Sequence, residues 1–463
     1  MKEIKEQEVI TLTITSLTSE GQGVARADGL AVFVDGALPG ETVRARITTV
    51  KKNYARAELL TILAPSPDRM MAFCPAAASC GGCQLAHYSY PAQLKYKQRK
   101  VEDALRRIGK LEDTAVHPVL GMAEPFKYRN KGQYPVGVRI EGANPKIVAG
   151  FYAPGTHEIV PCKECLIQKS DNDRVVQEAL QLAERYGLTA YDEKTGQGFL
   201  RHILVRAGFA TGEIMVVFVT NGTDFPHAGE ICRELVYRCP GLESIMQNIN
   251  TAKTNVILGP ETRILRGRIY IEDVLGDLKF RFSAQSFYQV NPAQTEVLYG
   301  KALEYAGLTG EETVLDLYCG IGTISLFMAG KAKKVYGIEV VEQAVRDAGV
   351  NAEINGINNV EFLAGDAGKV MDELLDQGVR FDVVMLDPPR AGCDRAVLTH
   401  IARSGIPRVV YVSCNPASLA RDLGILQELG YETLEVQPVD MFPHTVHVES
   451  VAKIKGMNLD LRD

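Results

Sequence analysis

The stretch VLDLYCGIGTISLFMA, Val314 to Ala329, decides how this chain is read. Its first residues are apolar and β-forming, and the strand they make is expected to end at Asp316. A glycine loop follows, and an apolar helix begins near Ile324. Gly320 and Gly322 remove two Cβ atoms where a ligand can approach the backbone at a sheet's carboxyl edge. The next expected strand, KVYGIEV, carries Glu339, 23 residues beyond Asp316. An acid at that place can accept both hydroxyls of a ribose. The loop lacks the full G-x-G-x-x-G of pyrophosphate binders, so the expected nucleoside cofactor is S-adenosylmethionine and not NAD.

Outward from this motif the pattern repeats. VEFLAG, FDVVMLDPP and RVVYVSC are further apolar strands, with helical stretches between the earlier ones. That alternation predicts a multi-domain α/β chain whose C-terminal part, residues 283–463, is a Rossmann-like, doubly wound parallel sheet. The fourth strand ends in LDPPR, residues 386–390. Pro388 and Pro389 stiffen an extended edge, and Asp387 then serves either the cofactor or a target base. The fifth strand ends at Cys414, in VVYVSCNPASLARD. A free cysteine is usually a small buried hydrophobe. One at a strand's carboxyl end, ahead of a helix N-terminus near Ala417, is placed as a nucleophile. Cys319, in the glycine loop, is expected to pack beneath it. MFPHTVHVESVAKI, residues 441–454, offers a base. Glu449 is the better choice, because burial beside Val448 and Val451 raises its pKa towards neutrality. His444 and His447 either orient it or contact phosphate.

The rest of the 463 residues bound the setting. Hydrophobic residues make up 46% and charged residues 23%, an ordinary globular balance. No run of about 18 apolar residues exists and the first residues lack a signal-peptide core, so the cytoplasm is expected. The net charge of −6 disfavours nucleic acid on average. The positive charge is nevertheless clustered: residues 92–110 hold seven Lys or Arg against two acids, and 127–139 hold four against none. Such patches track phosphates whatever the global sign. Residues 1–65 read as a small β-barrel with Arg44, Arg46, Lys51, Lys52 and Arg56 towards its end. APSPDRM, 64–70, reads as a linker, and residues 66–282 as an α+β central domain. CPAAASCGGC brings Cys74, Cys80 and Cys83 together, and PCKECLIQ adds Cys162 and Cys165. Zinc and an iron–sulfur cluster both satisfy that donor count.

Taken together these motifs resemble the bacterial RNA uracil-5-methyltransferases over essentially the whole chain. EGQGVARADGLAVFVDGALPGE looks like the family's TRAM domain, and CPAAASCGGC like the [4Fe-4S] motif of its 23S rRNA branch. FYQVN, DLYCGIGT, GIE, LDPPR, SCNP and HVE occur in the family's order. The resemblance implies that Cys414 is the nucleophile and Glu449 the proton acceptor. It implies that Gln289, Tyr318, Glu339, Asp366 and Asp387 bind S-adenosylmethionine. Cys74, Cys80, Cys83 and Cys165 would hold the cluster, with Cys162 the alternative fourth ligand. The implied partner is 23S rRNA, as a loop or remodelled single-stranded segment, and no membrane. The tRNA-directed branch and a non-catalytic iron–sulfur RNA-binding protein are the alternatives.

Overall fold

The computed structural model describes residues 4–141 and 144–457 of the chain. Six strands come first: β1 (Val9–Thr13), β2 (Ser16–Leu17), β3 (Gly23–Ala27), β4 (Leu30–Val34), β5 (Thr42–Val50) and β6 (Tyr54–Ala64). They pair in the order β1-β5-β6-β4-β3-β2. Period-two alternation builds their core: Val43, Ala45 and Ile47 turn inward from β5 while Arg44 and Thr48 stay in solvent. Of the cations late in this unit, Arg44, Lys51, Lys52 and Arg56 are exposed, and Arg46 pairs with Glu58 at 3.2 Å.

Glu41 fastens this unit to the segment that leaves it. Its buried carboxylate accepts from the N–H groups of Leu38 and Ser66 and from Arg69 Nε at 2.5 Å. Burial alone would raise its pKa, but Arg69 and the two amides outweigh that and hold it below the usual carboxylate range. Its contribution is therefore present above the unfolded value and lost as pH falls through the lower folded one. Glu41→Ala is expected to cost about 3 kcal/mol, because it leaves buried donors unpaired. Thermal melting at pH 7 and at pH 3 checks this, and the deficit should shrink at the lower pH.

Helix α1 (Tyr90–Ala104) is prolonged by a π-helical turn, Leu105–Gly109. Beyond β7 (Ala115–Val116) comes the central sheet. Its elements are β8 (Lys131–Glu141), β9 (Asn144–Tyr152), β10 (Ile159–Pro161), α2 (Ser170–Arg185), β11 (Leu200–Ala207), β12 (Ile214–Thr220), α3 (Ala228–Arg238), β13 (Leu242–Ile249) and β14 (Glu261–Gly267). The sheet order is β10-β9-β8-β11-β12-β13-β14. Strands β11 and β12 are buried at every position; β12 is an apolar run closed by Thr220, whereas β11 also buries Arg201, His202 and Arg206. A hairpin, β15 (Tyr270–Leu275) and β16 (Leu278–Ser283), leads into the last unit.

That unit alternates α4 (Pro292–Ala306), β17 (Thr313–Leu317), α5 (Thr323–Ala329), β18 (Lys334–Glu339), α6 (Glu342–Ile354), β19 (Val360–Ala364), α7 (Ala367–Asp376), β20 (Val383–Leu386), α8 (Arg395–Ser404), β21 (Arg408–Ser413) and α9 (Pro416–Glu428), and closes with β22 (Tyr431–Val439) and β23 (Glu449–Gly456). The sheet runs β19-β18-β17-β20-β21-β23-β22-β7. The first five strands are parallel, and the strand order reverses between β17 and β20. That reversal is the crevice where such sheets bind ligands. Alternate residues serve the two faces. Val314, Val335, Met385 and Val410 enter one core, and Leu315, Ile338, Leu386 and Tyr411 the other. Strand β23 is antiparallel and lies between β21 and β22, so it is interior. The basic helix α1 packs on α9 and β22, and β7 pairs with β22, so both join this last sheet.

Candidate active site

The chain leaves β17 by a tight turn. Tyr318 takes φ 70°, Gly320 57° and Gly322 82°. A left-handed tyrosine is a strained conformer that persists only where its surroundings fix it. Here the N–H groups of Tyr318 and Cys319 both donate to Ile338 O at 3.0 Å. Gly320 has open space where a Cβ would stand, whereas at Gly322 a Cβ would meet Phe362 at 2.9 Å. Glu339 sits at the end of β18, its two oxygens accepting from Gly320 N–H at 3.1 Å and Val341 N–H at 2.9 Å. Each oxygen keeps a lone pair for the crevice. Asp316 stays beneath the loop, bonded to Ser325, with its other oxygen unpartnered and its pKa raised to about 7, chiefly by burial. The cradle fits a nucleoside with no pyrophosphate.

The other expected cofactor residues fall at different depths. Gln289 is buried, and its backbone carbonyl accepts from Asn130 Nδ2 at 2.9 Å. The Tyr318 hydroxyl lies beside the Cys393 thiol. Asp387 leaves β20 at the crevice, and burial raises its carboxyl to about 7. Asp366 is exposed, and its carboxylate accepts from Lys369 N–H at 3.1 Å, capping α7.

Cys414 and Glu449 meet through sheet register. Strands β21 and β23 pair Val412 with Val451 and Ser413 with Ser450. Cys414 and Glu449 are the next residues beyond that last pair, and the Glu449 charge acts on the thiol. Glu449 is 4% exposed. Burial first, and then the Asp387 charge, push its carboxyl up to about 8, against the opposing pull of Arg390. The Cys414 thiol is raised to about 11 by burial and by the Glu449 charge, while Arg390 lies within hydrogen-bonding reach and lowers it. Burial thus opposes ionisation of the thiol, against the pull of Arg390, and α9 begins at Pro416 just beyond it.

His444 is buried, tilted against Phe73 at 4.5 Å and stacked on Phe126 at 4.7 Å between ring centres. Burial holds both His444 and His447 down at about 4, so both are neutral near pH 7. Sequence reasoning passed over Arg390, whose only signal was a cation three residues beyond Asp387. It also passed over Phe287, an aromatic left 69% exposed two residues before Gln289.

Cys74, Cys80, Cys83, Cys162 and Cys165 line one cavity of about 490 Å³, and none is disulfide-bonded. Arg129, Lys131, Arg390 and His447 share its wall, and no carboxylate does. The sequence left Cys162 and Cys165 as alternatives, and the fold brings both to the cavity. Among the described residues, no three His, Cys, Asp or Glu side chains are arranged around a single ion.

Two family matches accompany this geometry. Residues 4–60 match the TRAM domain, and residues 248–455 match the tRNA (Uracil-5-)-methyltransferase family. The chain is 52% identical over 455 residues to an uncharacterized RNA methyltransferase of Halalkalibacterium halodurans, covering 98% of each chain. It is 50% identical over 457 residues to one of Caldanaerobacter subterraneus, covering 99% of this chain and all of the other. Among solved structures it resembles Pyrococcus abyssi tRNA (uracil-54, C5)-methyltransferase in complex with S-adenosyl-L-homocysteine. That likeness has a TM-score of 0.76 at 29% identity and covers 96% of this chain and 100% of that one.

Proposed function

The chain belongs to the RNA uracil-5-methyltransferase family, and from that premise we propose that it methylates C5 of a specific uridine in 23S rRNA through a covalent bond between Cys414 and C6. The observation that carries this reading is that Cys414 and Glu449 are neighbours at the end of the β21–β23 ladder, with Arg390 acting on both. Uracil C5 is too weak a nucleophile to take a methyl group unaided. Cys414, as thiolate, adds to C6, and the electron pair of the C5–C6 double bond moves onto C5 and O4. S-adenosylmethionine supplies the electrophilic methyl group when bound in the cradle of Tyr318, Glu339, Asp387 and Gln289. Asp366, also proposed there, serves from the rim. Once C5 carries the methyl group, the Glu449 carboxylate removes the C5 proton. The C6–S bond breaks, the ring double bond returns, and Cys414 leaves as thiolate. Glu449 then passes its proton to water, so the products are 5-methyluridine, S-adenosylhomocysteine and one proton. The target base has to leave its stack to reach this edge.

Arg129, Lys131 and Arg390, on a wall without carboxylates, suit the phosphates on either side of that base. The cysteines beside them offer soft sulfur donors, which suits a [4Fe-4S] cluster held by Cys74, Cys80, Cys83 and Cys165. Cys80 already accepts from Gly82 N–H at 3.4 Å, the kind of bond that steadies a ligating sulfur. The cluster's part in this reading is to fix the segment that borders the RNA path. Cys80→Ala is therefore expected to lose iron and RNA affinity together, and affinity retained without iron would sink that role.

A tRNA substrate is the second reading. The Pyrococcus abyssi tRNA enzyme matches 96% of this chain, so the N-terminal domain alone does not exclude tRNA. One experiment separates the two. Anaerobically purified protein receives methyl-labelled S-adenosylmethionine with unmodified 23S rRNA and unmodified tRNA side by side, and labelled nucleosides are identified after digestion. Label in 5-methyluridine from 23S rRNA is expected. Label in tRNA alone would replace the substrate, and label in neither would overturn the reaction.

A further inference from the structure

Part of the positive charge of residues 92–110 never reaches RNA. Tyr90, Gln93, Lys97 and Lys100 fall at i, i+3, i+7 and i+10, one stripe of α1. The stripe meets the loop that runs from the end of β22 to Glu449. The Lys97 and Asp440 side chains are fully buried and paired at 2.5 Å. Lys97 Nζ donates as well to Phe442 O at 2.9 Å, and the Tyr90 hydroxyl donates to Asp440 Oδ2 at 2.9 Å. Lys100 Nζ donates to Val446 O at 2.9 Å. Gln93 grips His444 from two sides. Its Oε1 accepts from His444 N–H at 2.9 Å, and its Nε2 lies 3.2 Å from His444 Nδ1.

The cysteine segment and the central domain hold the same loop. Leu85 N–H, two residues after Cys83, donates to His444 O at 3.0 Å, and the Tyr128 hydroxyl donates to Pro443 O at 2.9 Å. His444 needs that grip, because its φ is 69°. A left-handed, β-substituted residue is retained only where neighbours over-determine it. It lies five residues before Glu449, so its backbone direction sets where the next strand begins. A buried lysine–aspartate pair is seldom a gain in stability over apolar residues of similar size. Retaining one here, on the loop that ends at the proton acceptor, points to a geometric task.

We propose that Gln93 and Lys97 are positioning residues for proton removal: their stripe on α1 holds the 440–448 loop so that the Glu449 carboxylate faces the C5 proton of the ring bound at Cys414. This rests on the reading of Glu449 as the base. Cys414 is carried by β21 and not by this loop, so attack at C6 and methyl transfer should survive loss of the stripe, while elimination should not.

The test uses the full chain, methyl-labelled S-adenosylmethionine and the RNA that the wild type methylates. Turnover is measured together with the methyl-labelled protein–RNA adduct that survives denaturing gels. Glu449→Gln is the reference, and it should trap the adduct. Gln93→Ala and Lys97→Met are expected to lower kcat by up to about 10²-fold, the effect of a misplacement near 1 Å. kcat/KM for S-adenosylmethionine should stay within about twofold, so that KM falls together with kcat, and the trapped adduct should accumulate as in the reference. Lys97→Met leaves Asp440 buried without its partner, so the double variant Lys97→Met with Asp440→Leu is made beside it to keep the core filled. Wild-type turnover in folded Gln93→Ala and in the folded double variant would overturn the proposal, as would lower turnover without adduct. Absence of adduct in Glu449→Gln itself would instead overturn the base assignment, and the positioning role with it.

Discussion

Cys414→Ala is expected to abolish methylation, by about 10⁴-fold or more, the scale seen when a covalent nucleophile is removed. Binding of S-adenosylmethionine should survive, because the cradle is built on β17, β18 and β20 and not on the thiol. The two measurements belong together: methyl transfer to RNA, and cofactor affinity by calorimetry. Cys414→Ser should fare little better, since a hydroxyl has almost no anionic form near neutral pH and is the poorer nucleophile. A methyltransferase acting on exocyclic amines through LDPPR needs no thiol. Substantial activity in either variant would therefore shift the chemistry to that class.

Glu449→Gln is expected to lower turnover by about 10² to 10⁴-fold, the range of a general base. The pH dependence carries the finer prediction. Both Glu449 and Cys414 must be ionised to act, and they stand at about 8 and about 11. Thiol addition and methyl transfer precede proton removal, so the logarithm of kcat/KM should rise with a slope of one towards pH 11, while decay of the methylated adduct should rise with a slope of one only up to about pH 8. Adduct decay in the variant should lose that dependence. Stability runs the opposite way. The folded pKa of Glu449 lies above its unfolded value, so its contribution favours the fold at low pH and is lost as pH rises through about 8. Glu449→Gln should melt higher than wild type at pH 9 and show no such gain at pH 4. Equal melting curves at both would mean that the carboxyl is not buried as described.

Asp387 and Asp316, both raised to about 7 chiefly by burial, surround the same point. Several carboxyls kept partly protonated beside a cationic ligand site have a functional reading. A sulfonium arriving there favours their charged forms, so cofactor binding and proton release should be linked. Arg390 is the counterweight, lowering the pKa of both Cys414 and Glu449.

Much of this was legible before folding, for a local reason. The strand, glycine turn and helix around Val314–Ala329 are fixed by neighbours in sequence. So are the acid ending β18, the LDPPR edge, and the thiol ahead of Pro416. Each is a residue type required at one end of a regular element, and strand ends in a parallel sheet all open on one crevice. The sequence alone therefore determined the cofactor class, the last sheet, and Cys414 and Glu449 as the reacting pair to examine.

Only the tertiary structure decided the rest, because it depends on contacts between segments hundreds of residues apart. Position along the chain said nothing of Lys97 meeting Asp440, so the charge of α1 read as an RNA surface when part of it is internal. Burial, invisible in a local pattern, made His444 a packed ring and raised the Cys414 thiol. Register placed β23 inside the sheet and brought Glu449 to the end of the ladder where Cys414 emerges, since pairing is specified by the whole apolar face and not by either strand. Spacing alone chose no partner for Cys74, Cys80 and Cys83, while folding brought both Cys162 and Cys165 to their cavity. Chemistry at one strand end is written in neighbouring residues, whereas the protonation and aim of each group are set by the side chains and backbone that the fold packs around it.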